Sequence, residues 1–130
     1  MTRPPRSPDD PLQRLRAICL ALPEALEKVT WGEPTFRVHE KIFAMFTHDE
    51  SDDGHVALWC KASEGLQDIL VSAAPQRFFV PPYVGRYGWI GLRLDGAVDW
   101  RAVADFVNDS YQMTAPKRLV ASPGLTRRRE

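Results

Sequence analysis

Leu12, Leu15, Ile18, Cys19 and Leu22 recur at helical spacing, with Gln13, Arg14 and Arg16 on the wet side between them. That is the stripe of an amphipathic helix of about three turns. Asp9 and Asp10 offer a cap, Pro11 fits the first turn, and Pro23 ends the element. From Glu27 the period shortens to two. LEKVTW and TFRVH read as strands on either side of Gly32-Glu33-Pro34. A glycine first in a two-residue loop suits a type II′ hairpin turn. Pro34 lacks an N–H and belongs at a strand start or an edge. KIFAMFT and HVALWCK follow, separated by HDESDDG. Both are apolar at nearly every position, as strands covered on both faces or placed mid-sheet are.

Ser63 predicts the cap of a short second helix, with Glu64 at its positive end and Leu66, Ile69 and Leu70 as its buried stripe. RFFVPPYVGRYGWIGLRLDG then reads as a strand, a Pro/Gly loop, and the strand WIGLRL closed by Asp95-Gly96. Asp99 caps a last helix that sets Trp100, Val103, Phe106, Val107 and Ser110 along one face. The predicted order is α-β-β-β-β-α-β-β-α. Short turns between consecutive strands imply an antiparallel meander, here an α+β domain of about six strands with two to three helices. Those helices suffice for one face of the sheet and leave the other as a shallow, partly exposed groove. Leu15, Ile18, Phe43, Leu58, Leu70, Leu92, Val103 and Phe106 are the expected core.

The chain has 130 residues, which fits one domain. Residues 9–121 hold the periodic segments. Residues 1–8, with three prolines and two arginines, and the basic segment 122–130 are expected to be disordered tails. The formal net charge is zero, which excludes a histone-like basic fold and a highly charged disordered chain. The balance hides an asymmetry. Residues 1–20 carry four arginines against two aspartates, residues 110–130 carry five cations against Glu130, and the centre is correspondingly acidic. No apolar run approaches the roughly 18 residues of a membrane span. Cys19 and Cys60 both sit in apolar patterns and read as buried free thiols. MTRPPRSPDD lacks the apolar stretch of a signal peptide, so a cytoplasmic location is expected.

The sequence carries no GxSxG, P-loop, dinucleotide fingerprint, HExxH or CxxC motif. A non-enzymatic protein without a cofactor is therefore expected. His48-Asp49-Glu50-Ser51-Asp52-Asp53-Gly54-His55 is the densest polar cluster, but its spacing matches no EF-hand and it reads as ordinary hairpin-loop chemistry rather than a metal site. A more informative cluster is aromatic and basic. Phe78, Phe79, Tyr83, Tyr87 and Trp89 crowd together with Arg77 and Arg86 in a Pro/Gly-rich loop. Aromatics beside arginines suit base stacking or an anion.

WGEPTFRVHEKIFA at 31–44, PPYVGRYGWIGLRLDG at 81–96 and FVNDSYQMTAPKRLV at 106–120, with LPEALE closing the first helix, resemble the MmcQ/YjbR family over about residues 11 to 121. The resemblance implies a curved antiparallel sheet, frataxin-like or secretion-chaperone-like in outline, and DNA binding through a double-wing arrangement. By position it carries over Trp31, Gly32, Thr35, Phe36, Lys41, Phe43, Gly88, Trp89, Ser110 and Tyr111. Trp31, Phe36, Phe43 and Trp89 look like packing residues, and Gly32 and Gly88 like turn residues. Family members often place a glycine before the lysine, whereas here Glu40 sets an acid beside Lys41.

The expectation that follows is weak, mainly sequence-independent DNA binding, with loops 47–55 and 81–88 as wings and Arg37, Lys41, Tyr83, Arg86 and Arg93 as contacts. The alternative is a domain that takes a peptide, protein or small ligand on its exposed sheet face. A continuous positive strip beside Arg86 favours the first, and an apolar concavity lined by Phe43, Met45 and Trp59 favours the second.

Overall fold

The structure is a computed structural model that describes residues 10–49 and 55–120. The predicted tails and most of the HDESDDGH loop lie outside the described residues. Helix α1 (Pro11–Leu20) starts on Asp10, whose side chain accepts from the Gln13 N–H. Strands β1 (Ala25–Thr30), β2 (Glu33–Val38), β3 (Lys41–Asp49) and β4 (His55–Cys60) form the antiparallel meander. Helix α2 (Leu66–Ala73), the two-residue strand β5 (Phe78–Phe79), a 3-10 turn at Gly85–Tyr87 and strand β6 (Ile90–Arg93) follow. Helix α3 (Trp100–Thr114), capped by Asp99, and the short α4 (Lys117–Val120) complete the described chain. The sheet order is β1-β2-β3-β4-β6-β5, so the apolar β3 and β4 lie mid-sheet as their sequences require.

The helices α1 and α3 cover one face. Leu15, Phe36, Val38, Phe43, Leu58, Ile90, Val103, Val107 and Tyr111 are fully buried between them and the sheet. Five of the eight expected core residues are buried, and Ile18, Leu70 and Phe106 pack half-buried against that core. Phe43 meets Tyr111 edge-to-face at 5.4 Å. The Ser110 hydroxyl donates to the Phe43 carbonyl at 2.6 Å and accepts from the Lys61 N–H at 2.9 Å, tying α3 to β3 and to the end of β4. Arg16 grips Glu27 through two hydrogen bonds of 2.8 and 3.0 Å and fixes α1 on β1. Both cysteines are buried free thiols. Burial pushes Cys60 up to about 12 and Cys19 well above the ordinary thiol range, so both are neutral and inert.

Several local expectations are corrected. The first hairpin loop is Trp31-Gly32, closed by the Thr30–Glu33 pair, with φ of 52° and 79°. Two positive φ values make it a type I′ turn, which matches the strand twist, rather than type II′. The turn has pushed Trp31 out: it is 88% exposed, against its expected packing role. Helix α2 begins at Leu66 behind Gly65, without a side-chain cap from Ser63. It lies flat on the sheet edge, so Ile69 is exposed and Leu66 and Leu70 only half-buried. Phe43 does not line the open face. The β2–β3 register slips between Phe36 and Arg37, so Phe43 is an extra residue on β3. That bulge lets Phe43 and Ala44 both enter the helix side and breaks the alternation that paired Phe43 with Met45.

Candidate functional site: a groove on the open sheet face

Cross-strand partners share a face, and the register therefore maps the uncovered side of the sheet row by row. Thr35, Met45, Trp59 and Gly91 form one row, continued by Phe79 on β5. Glu33 lies level with Thr47, Ala57 and Arg93 in the next. The second row is small in its middle, and Gly91 has no side chain. Larger neighbours and the 82–84 loop rise around these positions and leave a groove of about 1260 Å³. That slightly exceeds the 300–1,000 Å³ typical of small-molecule sites.

The walls are Ile42, Met45, Trp59, Phe79, Val84 and Trp89, with Trp31 at one rim and Tyr83 at the other. Trp31 is 88% and Tyr83 84% exposed, and both sit in the left-handed region, at φ 52° and 66°. A bulky residue there is a backbone outlier costing about 1–2 kcal/mol. Phe79 lies across Gly91: a Cβ on Gly91 would overlap the Phe79 ring. A glycine mid-strand is the sequence signal of such a close approach, and it was present in WIGL. The Trp59 Nε1 is buried without an acceptor among the described residues. An orphan donor costs about 1–3 kcal/mol.

Charge in the groove is sparse. Glu33 and Arg93 are its only formally charged residues among those described, with His48 beside Glu33. The Glu33 carboxylate accepts from the His48 N–H at 3.3 Å. Arg93 stacks over Phe79 at 4.9 Å.

Of the five expected nucleic-acid contacts, the groove gathers only Tyr83 and Arg93. Arg37 lies half-buried on β2 and donates to the hydroxyls of Thr30 at 2.7 Å and Thr35 at 3.2 Å. Lys41 is exposed at the start of β3. Burial lowers the Lys61 ammonium, and the charge of Lys41 adds to that. Arg86 is exposed in the 3-10 turn and stacks on Tyr87 at 5.2 Å, beside a smaller hollow shared with α2. Gln67 fastens this loop, donating to the Gly85 and Trp89 carbonyls at 2.8 and 2.7 Å. Trp31 and Phe79 were missed as groove residues. The first was read as packing, and the second gave no facing until Gly91 placed it.

On the helix side, Glu24 accepts from both terminal guanidinium nitrogens of Arg118 at 3.1 Å and lies 2.6 Å from His39 Nε2. Arg118 and then His39 hold the Glu24 carboxyl below the ordinary carboxylate range. Among the described residues no group of three metal-type ligands gathers, and no helix is long and apolar enough to cross a membrane.

An antiparallel sheet with helices on one side and an apolar groove on the other defines an α+β domain with an open sheet face. The YjbR family model matches residues 20–113, and the chain belongs to that family. The crystal structure of a Deinococcus radiodurans protein, DR2400, with a DUF419 domain has the same fold, at a TM-score of 0.66 and 23% identity over 98% of this chain and 87% of that one. No curated protein matches.

Proposed function

We propose that this YjbR-family chain is a non-enzymatic binding module that holds a small, largely apolar ligand on the open face of its sheet. One observation carries the reading: the groove is walled by aromatic and aliphatic side chains and rimmed by two exposed aromatics, Trp31 and Tyr83, both in strained backbone. A single exposed aromatic is unremarkable on a protein surface. Two strained ones facing one apolar concavity mark a surface organised for something other than stability.

Duplex DNA is the less favoured occupant. Among the described residues the groove offers one cation, and the other expected contacts lie apart: Arg37 is engaged with threonine hydroxyls, and Lys41 and Arg86 sit outside the groove. A phosphate-binding face works by accumulating such cations.

The four tryptophans make a built-in assay. Trp31, Trp59 and Trp89 line the groove, whereas Trp100 starts α3 on the far side, beneath Arg14 at 5.1 Å. Titration with 2-naphthol, followed by the indole N–H resonances, should move the first three and leave Trp100 still. Shifts confined to the neighbourhood of Lys41 and Arg86 on adding a DNA duplex, with no response to 2-naphthol at millimolar concentration, would overturn the reading in favour of DNA.

A further inference from the structure

Arg93 stands apart from the other half-buried arginines with fully described contacts. Arg16 is held by the Glu27 carboxylate, Arg37 by two threonine hydroxyls, and Arg77 by the carbonyls of Arg93 and Ala97. The Arg93 guanidinium lies over the Phe79 ring, and among the described residues no hydrogen-bond acceptor or carboxylate pairs with it. Glu33, the groove's one carboxylate with a described position, lies in the same row but on β2. The sheet order puts β3 and β4 between them, three strand spacings or roughly 14 Å away. A guanidinium on a half-buried residue over an aromatic ring, with five donors and no acceptor among the described residues, is an incomplete pair.

We infer that the ligand carries a single carboxylate on a flat apolar body, and that Arg93 is its anchor. This rests on the groove being the ligand site. The planar guanidinium matches a carboxylate in a two-pronged hydrogen bond. Phe79 holds that fork in place from beneath, so little side-chain freedom is lost on binding. Trp59 stands diagonal to Arg93 across the β4–β6 pair, within about 7–8 Å, and offers the apolar body an aromatic face. One anionic charge is the expected number. Arg93 is the groove's lone cation among the described residues, and Glu33 at the far end repels any second negative group.

The test compares 2-naphthoate with the neutral, isosteric 2-naphthamide, each titrated into the full chain and followed by the tryptophan indole resonances. The wild-type protein should bind the carboxylate about tenfold more tightly than the amide, the ratio of a charge-assisted contact to a neutral one. Arg93→Gln should bring the two within about twofold, with the Trp100 resonance unmoved as the check on folding. Arg93→Lys should restore part of the preference, because it keeps the charge and loses the fork. Equal affinities in the wild type would overturn the anchor while leaving the groove as the site, and this comparison needs no variant to fold. A preference that survives in Arg93→Gln would also overturn it. If neither compound moves Trp31, Trp59 or Trp89, the groove reading itself fails.

Discussion

Gly91→Ala isolates the contact that shapes the groove floor. Gly91 sits in β6 between Trp59 on β4 and Phe79 on β5. An added methyl would overlap the Phe79 ring; even the third-nearest ring carbon, Cε1, would lie only 2.7 Å away. Carbon atoms prefer separations of about 3.5–4.0 Å. The ring cannot slide off freely, because Arg93 lies over it and Phe78 beside it is packed edge-to-face on Phe106 at 5.6 Å. Overpacking of this kind costs about 1–3 kcal/mol. For a domain of this size that corresponds to a melting temperature lower by roughly 4–12 °C. The backbone at Gly91 is ordinary, so the expected loss is steric alone. Denaturant unfolding of the wild type, Gly91→Ala, Phe79→Leu and the double variant closes a cycle. The two substitutions should couple, with the smaller leucine recovering more than half of the alanine penalty. A Gly91→Ala protein within about 0.5 kcal/mol of wild type, or an equal penalty in both backgrounds, would refute the close approach of ring and strand.

Four further outcomes are expected. Ser110→Ala leaves the Lys61 N–H and the Phe43 carbonyl without their partner, and denaturant unfolding should show a loss of about 1–3 kcal/mol. Leu58→Ala, at a fully buried position on β4, should cost about 2–5 kcal/mol in the same assay. Trp31→Asn should raise the melting temperature, because asparagine suits the type I′ turn, while weakening 2-naphthol binding; a loss of both would show that Trp31 holds the fold. Arg118→Ala should move the Glu24 titration upward, seen by carboxyl carbon NMR, since Arg118 is the leading cause of its lowering. The sign follows from a depressed acid: what the contact contributes is present above the ordinary carboxylate range and is lost as pH falls through it.

The order of elements and the placing of β3 and β4 at the centre were legible because periodicity and turn residues agree along most of the chain. The α3 face was legible for the same reason: Val103, Val107 and Ser110 follow one helical stripe into the core. What the sequence hid depends on register. Alternation alone puts Phe43 and Met45 on one face, and only the bulge opposite Phe36 and Arg37 separates them. In the same way, the resemblance makes Trp31 a packing residue until the two-residue loop is known to include it. The groove was half visible. Met45 and Trp59 are on it, but Arg93 reaches it through the β4–β6 register, and Phe79 through a β5–β6 pairing that brings a two-residue strand to the sheet edge. For the basic residues, sequence shows charge without showing which cations already have acceptors. Arg37 has two, and Arg93 has none among the described residues.

The bulge on β3 also divides the chain's freedom to change. By admitting both Phe43 and Ala44 to the helix side, it gives the core two adjacent residues from one strand. Ile42 and Met45 on either side are left to the groove. Stability and the proposed recognition are thereby written on separate letters of the same short word. A lineage can exchange Ile42, Met45, Thr47 or Ala57 and alter what the groove accepts while Phe43, Ala44 and Phe46 hold the domain together. An insertion or deletion of one residue between Lys41 and Phe46 has no such latitude, since it would swap the two sets at once. Divergence in this fold should therefore run through substitutions on the open side and avoid length changes in β3.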